Sequence, residues 1–137
     1  RITYVGIIVL TVLAISFYPC MAIRQSKIPH AEQGSSTPGG VVYLYGHRIC
    51  NSCPSGKTVY SLKDRQDIIF VVPPDFQEVD IRNLKSVFLL KGNIVKGNLE
   101  TRSFLKTFTH CNGLDQWRKH IIIELDSEKN FKSYKTF

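Results

Sequence analysis

The sequence predicts an α/β domain on a mixed β-sheet flanked by helices, and three observations carry that prediction. Two short continuous runs of β-formers, VVYLY (41–45) and DIIFVVP (67–73), read as strands buried on both faces. A helix-like segment lies between them, as a parallel crossover requires. The C-terminal stretch HIIIELDSEKNFKSYKTF has the pattern of a hairpin: an apolar strand, a polar turn and an alternating strand.

In chain order, residues 1–23 come first and carry no charge after Arg1. Ile2–Ile23 is long enough for a hydrocarbon core about 30 Å thick, so the segment is expected to be a transmembrane anchor or a signal peptide. Small residues at Cys20 and Ala22 would suit cleavage, and acylation of Cys20 is a weaker option because FYP precedes it. Residues 24–40, which include QGSSTPGG, are expected to form a flexible linker, leaving 41–137 as the folded domain.

Gly46 closes the first strand. SGKTVYSLKDR (55–65) is helical in character, with Val59 and Leu62 on one face. Pro73-Pro74 ends the second strand. DIRNLKSVFLL (80–90) places Ile81, Leu84, Val87 and Phe88 at helical spacing behind a capping Asp80. KGNIVKGNLE reads as a turn with a brief strand, TRSFLKTF as a short helix, and Asn112-Gly113 as a turn. Strands follow at 120–125 and, beyond the DSEKN turn, through Phe131 and Tyr134.

Net charge is +7 with a pI near 9.4, which suits a membrane surface or an acidic partner. The lysines are spread along the chain, so nucleic acid is not an expected partner. The chemistry lies in CNSC, Cys50 to Cys53. Two cysteines at this spacing can close a disulfide where a strand turns into a helix. A helix start also stabilises a thiolate, and His47, Arg48 and Lys57 are near in sequence. Pro54 leaves two placements open. If the helix starts at Cys50, Pro54 forfeits its first internal bond; if Pro54 takes the first helical position, the helix starts at Cys53, Cys50 moves off its end and loses activation, and Cys53 is expected to become the attacking residue.

Strand, CNSC at a helix start, second strand, helix and late hairpin together resemble the thioredoxin-like superfamily. With the N-terminal segment and linker, the chain looks most like membrane-anchored or exported thiol-disulfide oxidoreductases and redoxins. The resemblance implies that Cys50 is the attacking and Cys53 the resolving cysteine. It implies protein thiols or disulfides as partners, or a small peroxide, with no organic cofactor, in an extracytoplasmic, periplasmic, cell-surface or secreted setting. The sequence departs from the family in having no proline before the strand at 120, where WRKH stands.

Three other readings compete. NSCPSGKT ends like a phosphate-binding loop, but Asn51 stands where the first glycine belongs and Pro54 removes an N–H from the cradle. A zinc or copper site could draw on Cys50 and Cys53 with His110, Cys111 or His120, though the second half lacks paired ligand spacing. A structural disulfide in a non-catalytic binding module is the third. Cys111 and the aromatic residues, Trp117 among them, are expected to be packing residues, and His110 a surface histidine.

Overall fold

The structure, a computed structural model, describes residues 2–25, 27–33, 39–46, 49–114 and 119–137, without the side chains of 2, 16–19 and 21–25. Trp117, His47 and Arg48 lie outside the described residues. The elements are α1 (Ile2–Gln25), β1 (Gly40–Tyr43), α2 (Pro54–Ser61), β2 (Ile68–Val72), α3 (Glu78–Phe88), β3 (Asn93–Lys96), α4 (Leu99–Cys111), β4 (Ile121–Leu125) and β5 (Phe131–Thr136). They form an α/β unit around one five-stranded mixed sheet of order β3-β2-β1-β4-β5. β1, β2 and β3 are parallel, whereas β4 is antiparallel to both β1 and β5.

Every residue of β1 and β2 is buried, which explains why these strands read as unbroken apolar runs. Their side chains alternate between two cores. On one face Val42, Leu44, Ile68, Phe70, Val72 and Ile122 meet Val59 of α2 and Leu84 and Phe88 of α3. On the other Val41, Tyr43, Ile69, Val71, Ile121, Ile123 and Leu125 meet Phe104, Leu105 and Phe108 of α4. The sheet thus separates α2 and α3 from α4.

Local chemistry sets the helix starts. α3 opens with a capping box, in which the Gln77 N–H donates to Asp80 Oδ2 at 2.8 Å. In α4 Asn98 Oδ1 accepts the Thr101 N–H at 3.0 Å, and Thr101 Oγ1 accepts the Asn98 N–H at 3.1 Å. That cap begins α4 two residues before TRSFLKTF and lengthens it to Cys111. At the far edge of the sheet Arg65 bridges β2 to β4, donating to Asp67 Oδ2 and Glu124 Oε1 at 2.9 Å each.

The stretch expected to begin the linker is partly core. Ile28 and Ala31 are 4% and 7% exposed against the α4 face. The Tyr43 hydroxyl donates to the Pro29 carbonyl at 2.8 Å, and His30 Nε2 lies 2.7 Å from Thr101 Oγ1. Isolated apolar residues in a polar stretch give no periodic signal, so only the fold shows that they are buried. The rest of that stretch, 34–38, lies outside the described residues.

α1 packs on α4, and Cys20 forms a disulfide with Cys111, the last residue of α4, across a Cα separation of 5.4 Å. Cys111 is therefore a bonded cysteine and not the packing residue expected. All described side chains from Thr3 to Ile15 are exposed. Among the described residues no helix is long and apolar enough to cross a membrane; the run Thr3–Ile15 is shorter than the roughly 20 residues needed.

Candidate functional site

β1 delivers the chain to the C-terminal edge of the sheet, and the Leu44 N–H continues the ladder by donating to the Val71 carbonyl at 2.9 Å. Half-buried Ile49 packs against the α2 and α3 core and fixes the approach to Cys50. Asn51 and Ser52 turn the chain, and α2 then begins at Pro54 with Cys53 as its N-cap, in extended conformation. Of the two placements the sequence left open, the structure takes the second. Proline has no N–H to lose at the first helical position, and its fixed φ suits the start of a helix.

Cys50 and Cys53 form a disulfide with Cα atoms 5.4 Å apart. Their surroundings differ. Cys50 is exposed and lies before the turn, whereas Cys53 is half-buried at the helix start. Cys53 Sγ accepts the Cys50 N–H at 3.0 Å, lies 2.9 Å from the Cys50 carbonyl oxygen, and is 3.2 Å from Ser55 Oγ. Donors around a sulfur and the positive end of a helix dipole both favour its anion. In the dithiol form they act on Cys53, opposed by the Cys50 carbonyl oxygen at 2.9 Å, and Cys50 gains no helix cap. Lys57 is exposed on α2.

Gly56 is required for this turn. A Cβ there would collide with the Cys50 carbonyl oxygen, lie 2.8 Å from the carbonyl carbon and press on Phe88 at 3.4 Å.

Beside Cys50 opens a recess of about 960 Å³, lined among others by Ile49, Asn51, Pro73, Asp75, Phe76 and His120. His120 immediately precedes β4 and is 2% exposed. Its Nδ1 accepts the Gly46 N–H at 3.0 Å, and its ring lies tilted against that of Phe137, centroids 5.1 Å apart. Across Pro73 the recess adjoins a groove of about 790 Å³ bordered by Tyr45, Leu99 and Arg102. The Tyr45 hydroxyl is buried there, and desolvation, with Asp75 nearby, raises the phenol above its ordinary pKa.

The expected residues are thus brought together in part. Cys50 and Cys53 are joined, and His120 lines the Cys50 recess. His110 is exposed on α4, and Cys111 is bonded to Cys20. Among the described residues no group of three or more His, Cys, Asp or Glu is placed to hold a metal ion. Sequence reasoning missed Ser55, Gly46 and Gly56 as parts of the site. A glycine directly after a strand and another in the first turn of a helix were the available signals, since both mark close backbone approach.

In comparison with known proteins, no family model, curated protein or solved structure matches the chain.

Proposed function

We propose that the chain is a thioredoxin-like thiol-disulfide oxidoreductase acting through Cys50 and Cys53. The observation that carries this reading is the asymmetry of the pair: Cys50 is exposed before the turn, and Cys53 sits half-buried at the helix start, its sulfur accepting the Cys50 N–H with the Ser55 hydroxyl 3.2 Å away. A partner thiolate attacks the accessible Cys50 sulfur, a bond forms between the two, and the Cys50–Cys53 bond breaks with its electron pair leaving on Cys53. The leaving thiolate is held by the Cys50 N–H, the Ser55 hydroxyl and the α2 dipole, and a stabilised leaving group speeds exchange. A second thiolate of the partner then attacks its own sulfur in the mixed disulfide. The partner leaves as a disulfide and both cysteines remain reduced. Because the stabilised anion exists only in the dithiol form, the site favours oxidation of partner protein dithiols.

The order of β1, the cysteine turn, α2, parallel β2 and antiparallel β4 and β5 supports the thioredoxin-like reading. The two disulfides support an oxidising, extracytoplasmic compartment. The exposed apolar α1 supports attachment to a membrane.

The test is trapping. Incubated with a peptide bearing a single thiol, whose mixed disulfide no second thiolate can resolve, the Cys53→Ser variant, oxidised at Cys50 by a small aromatic disulfide, is expected to accumulate a mixed disulfide with it. Cys50→Ser is expected to accumulate none, and the wild type, given a reduced, unfolded ribonuclease as dithiol donor, is expected to return it oxidised. Failure of wild type and variants alike to exchange would leave a purely structural disulfide.

A further inference from the structure

α1 has the composition of a segment that export machinery removes, yet four links tie it and the residues behind it to the domain. Cys20 is bonded to Cys111, Ile28 and Ala31 lie in the core, the Tyr43 hydroxyl donates to Pro29, and His30 meets Thr101. All four lie on the α4 face of the sheet. The cysteine turn and α2 belong to the other face, through Ile49 and Val59.

The occupant of α1 follows from its chemistry. Tyr4, Val5, Ile7, Ile8, Leu10 and Ile15 are each more than half exposed. They point in all directions, so the helix has no polar side to turn to water, and no charge stands between Ile2 and Ile23. A helix apolar all round is stable only when surrounded by apolar matter.

We propose that the Cys20–Cys111 bond makes α1 a permanent part of the working domain and presents it to a phospholipid bilayer from the sheet face opposite the Cys50 recess, leaving that recess to thiol-bearing proteins in the aqueous phase. The assignment of partner rests on the redox reading above; the bond and the bilayer do not. Cleavage of the backbone behind α1 then leaves the domain attached until a reductant also opens Cys20–Cys111. The same bond keeps Cys20 from acylation.

The experiment uses the full chain with a specific protease site inserted between Ser26 and Lys27, bound to phosphatidylcholine vesicles and followed by flotation. After cutting, the domain is expected to float until dithiothreitol is added, with the helix fragment still joined on a non-reducing gel. In Cys111→Ser, cutting alone is expected to release it. Release of the wild-type domain by cutting alone overturns the bond's role. An uncut chain that stays off the vesicles, or sediments as a dimer, overturns the bilayer assignment, while the gel still reports on the bond. In the Cys53→Ser chain the Cys50 thiol is expected to react with a polyethylene-glycol maleimide at the same rate, within about twofold, on vesicles and in detergent. Slowing of about tenfold or more on vesicles would put the bilayer over the recess and overturn the orientation. Trapping of a soluble protein by Cys50 tests the redox reading separately.

Discussion

The two disulfides of this chain solve different problems. Cys50–Cys53 closes a loop between cysteines three residues apart in an exposed turn; Cys20–Cys111 joins two helices across a separation of 91 residues. In the chain-entropy account, closing the long loop stabilises the fold by about 4–5 kcal/mol and closing the short one by about 2 kcal/mol. The bond that contributes most to stability is remote from the reactive turn. The bond in that turn contributes less, so its opening leaves most of the fold's stability in place.

The sharpest way to break this comparison is to remove one bond at a time. Cys50→Ser is expected to abolish oxidation of a reduced protein substrate, a loss beyond about a thousandfold, because no sulfur remains for the partner to attack. Its unfolding free energy should fall by no more than about 2 kcal/mol in urea titration. Cys20→Ser and Cys111→Ser should do the reverse: a loss of about 4–5 kcal/mol by the same titration, with exchange at Cys50 retained below the melting range. Equal stability losses from the two pairs would end the division of labour.

Gly56→Ala gives a middle-sized effect and links the two properties. The new methyl must displace the Cys50 carbonyl, at a cost of about 1–3 kcal/mol. It should also slow exchange, because the Cys50 N–H that serves Cys53 belongs to the same turn. Ser55→Ala is smaller: loss of one donor should raise the pH at which Cys53 becomes an alkylatable thiolate in the Cys50→Ser background. An unchanged profile would show that Ser55 does not serve the leaving sulfur.

The smallest effect lies at the opposite edge of the sheet. The hydrogen bond from Arg65, helped by the guanidinium charge and opposed by partial burial, holds the Asp67 carboxyl below its ordinary pKa. A carboxylate depressed in the folded state stabilises the protein above the unfolded pKa, near 4, and the contribution is lost as pH falls through the folded value. Arg65 stays charged throughout, its own pKa raised by Asp67 and Glu124. Asp67→Asn should therefore flatten the acid limb of stability below about pH 4, by less than about 1 kcal/mol for a partly exposed pair. Melting temperatures measured from pH 6 downward would show it.

How much of this was legible follows from where each signal sits. β1, β2 and β4 announce themselves because burial on both faces demands continuous apolar residues, and CNSC after the first of them locates the reactive turn. β3 is a four-residue edge strand with only Ile94 and Val95 half-buried, so its pattern is as weak as its packing. The true start of α4 was written in Asn98 and Thr101, a cap without the usual acidic partner. Pro54 limited the start of α2 to two positions, and the hydrogen bonds around Cys53 belong to the one the fold adopts. The Cys20–Cys111 partnership was illegible, because nothing near either cysteine refers to the other. Only the docking of α1 on α4 brings them together.

That last pairing also bears on how the protein is made. A chain entering an oxidising compartment from its N-terminus presents Cys20 to Cys50 and Cys53 long before Cys111 arrives. Pairing in order of appearance would tie Cys20 to Cys50 and leave Cys53 for Cys111, neither of them native. Maturation then waits on reshuffling, which takes seconds to hours depending on oxidant and isomerase. On the extracytoplasmic reading proposed above, a newly made pool is expected to contain mispaired monomers, separable on non-reducing gels, which a disulfide isomerase converts to the native form.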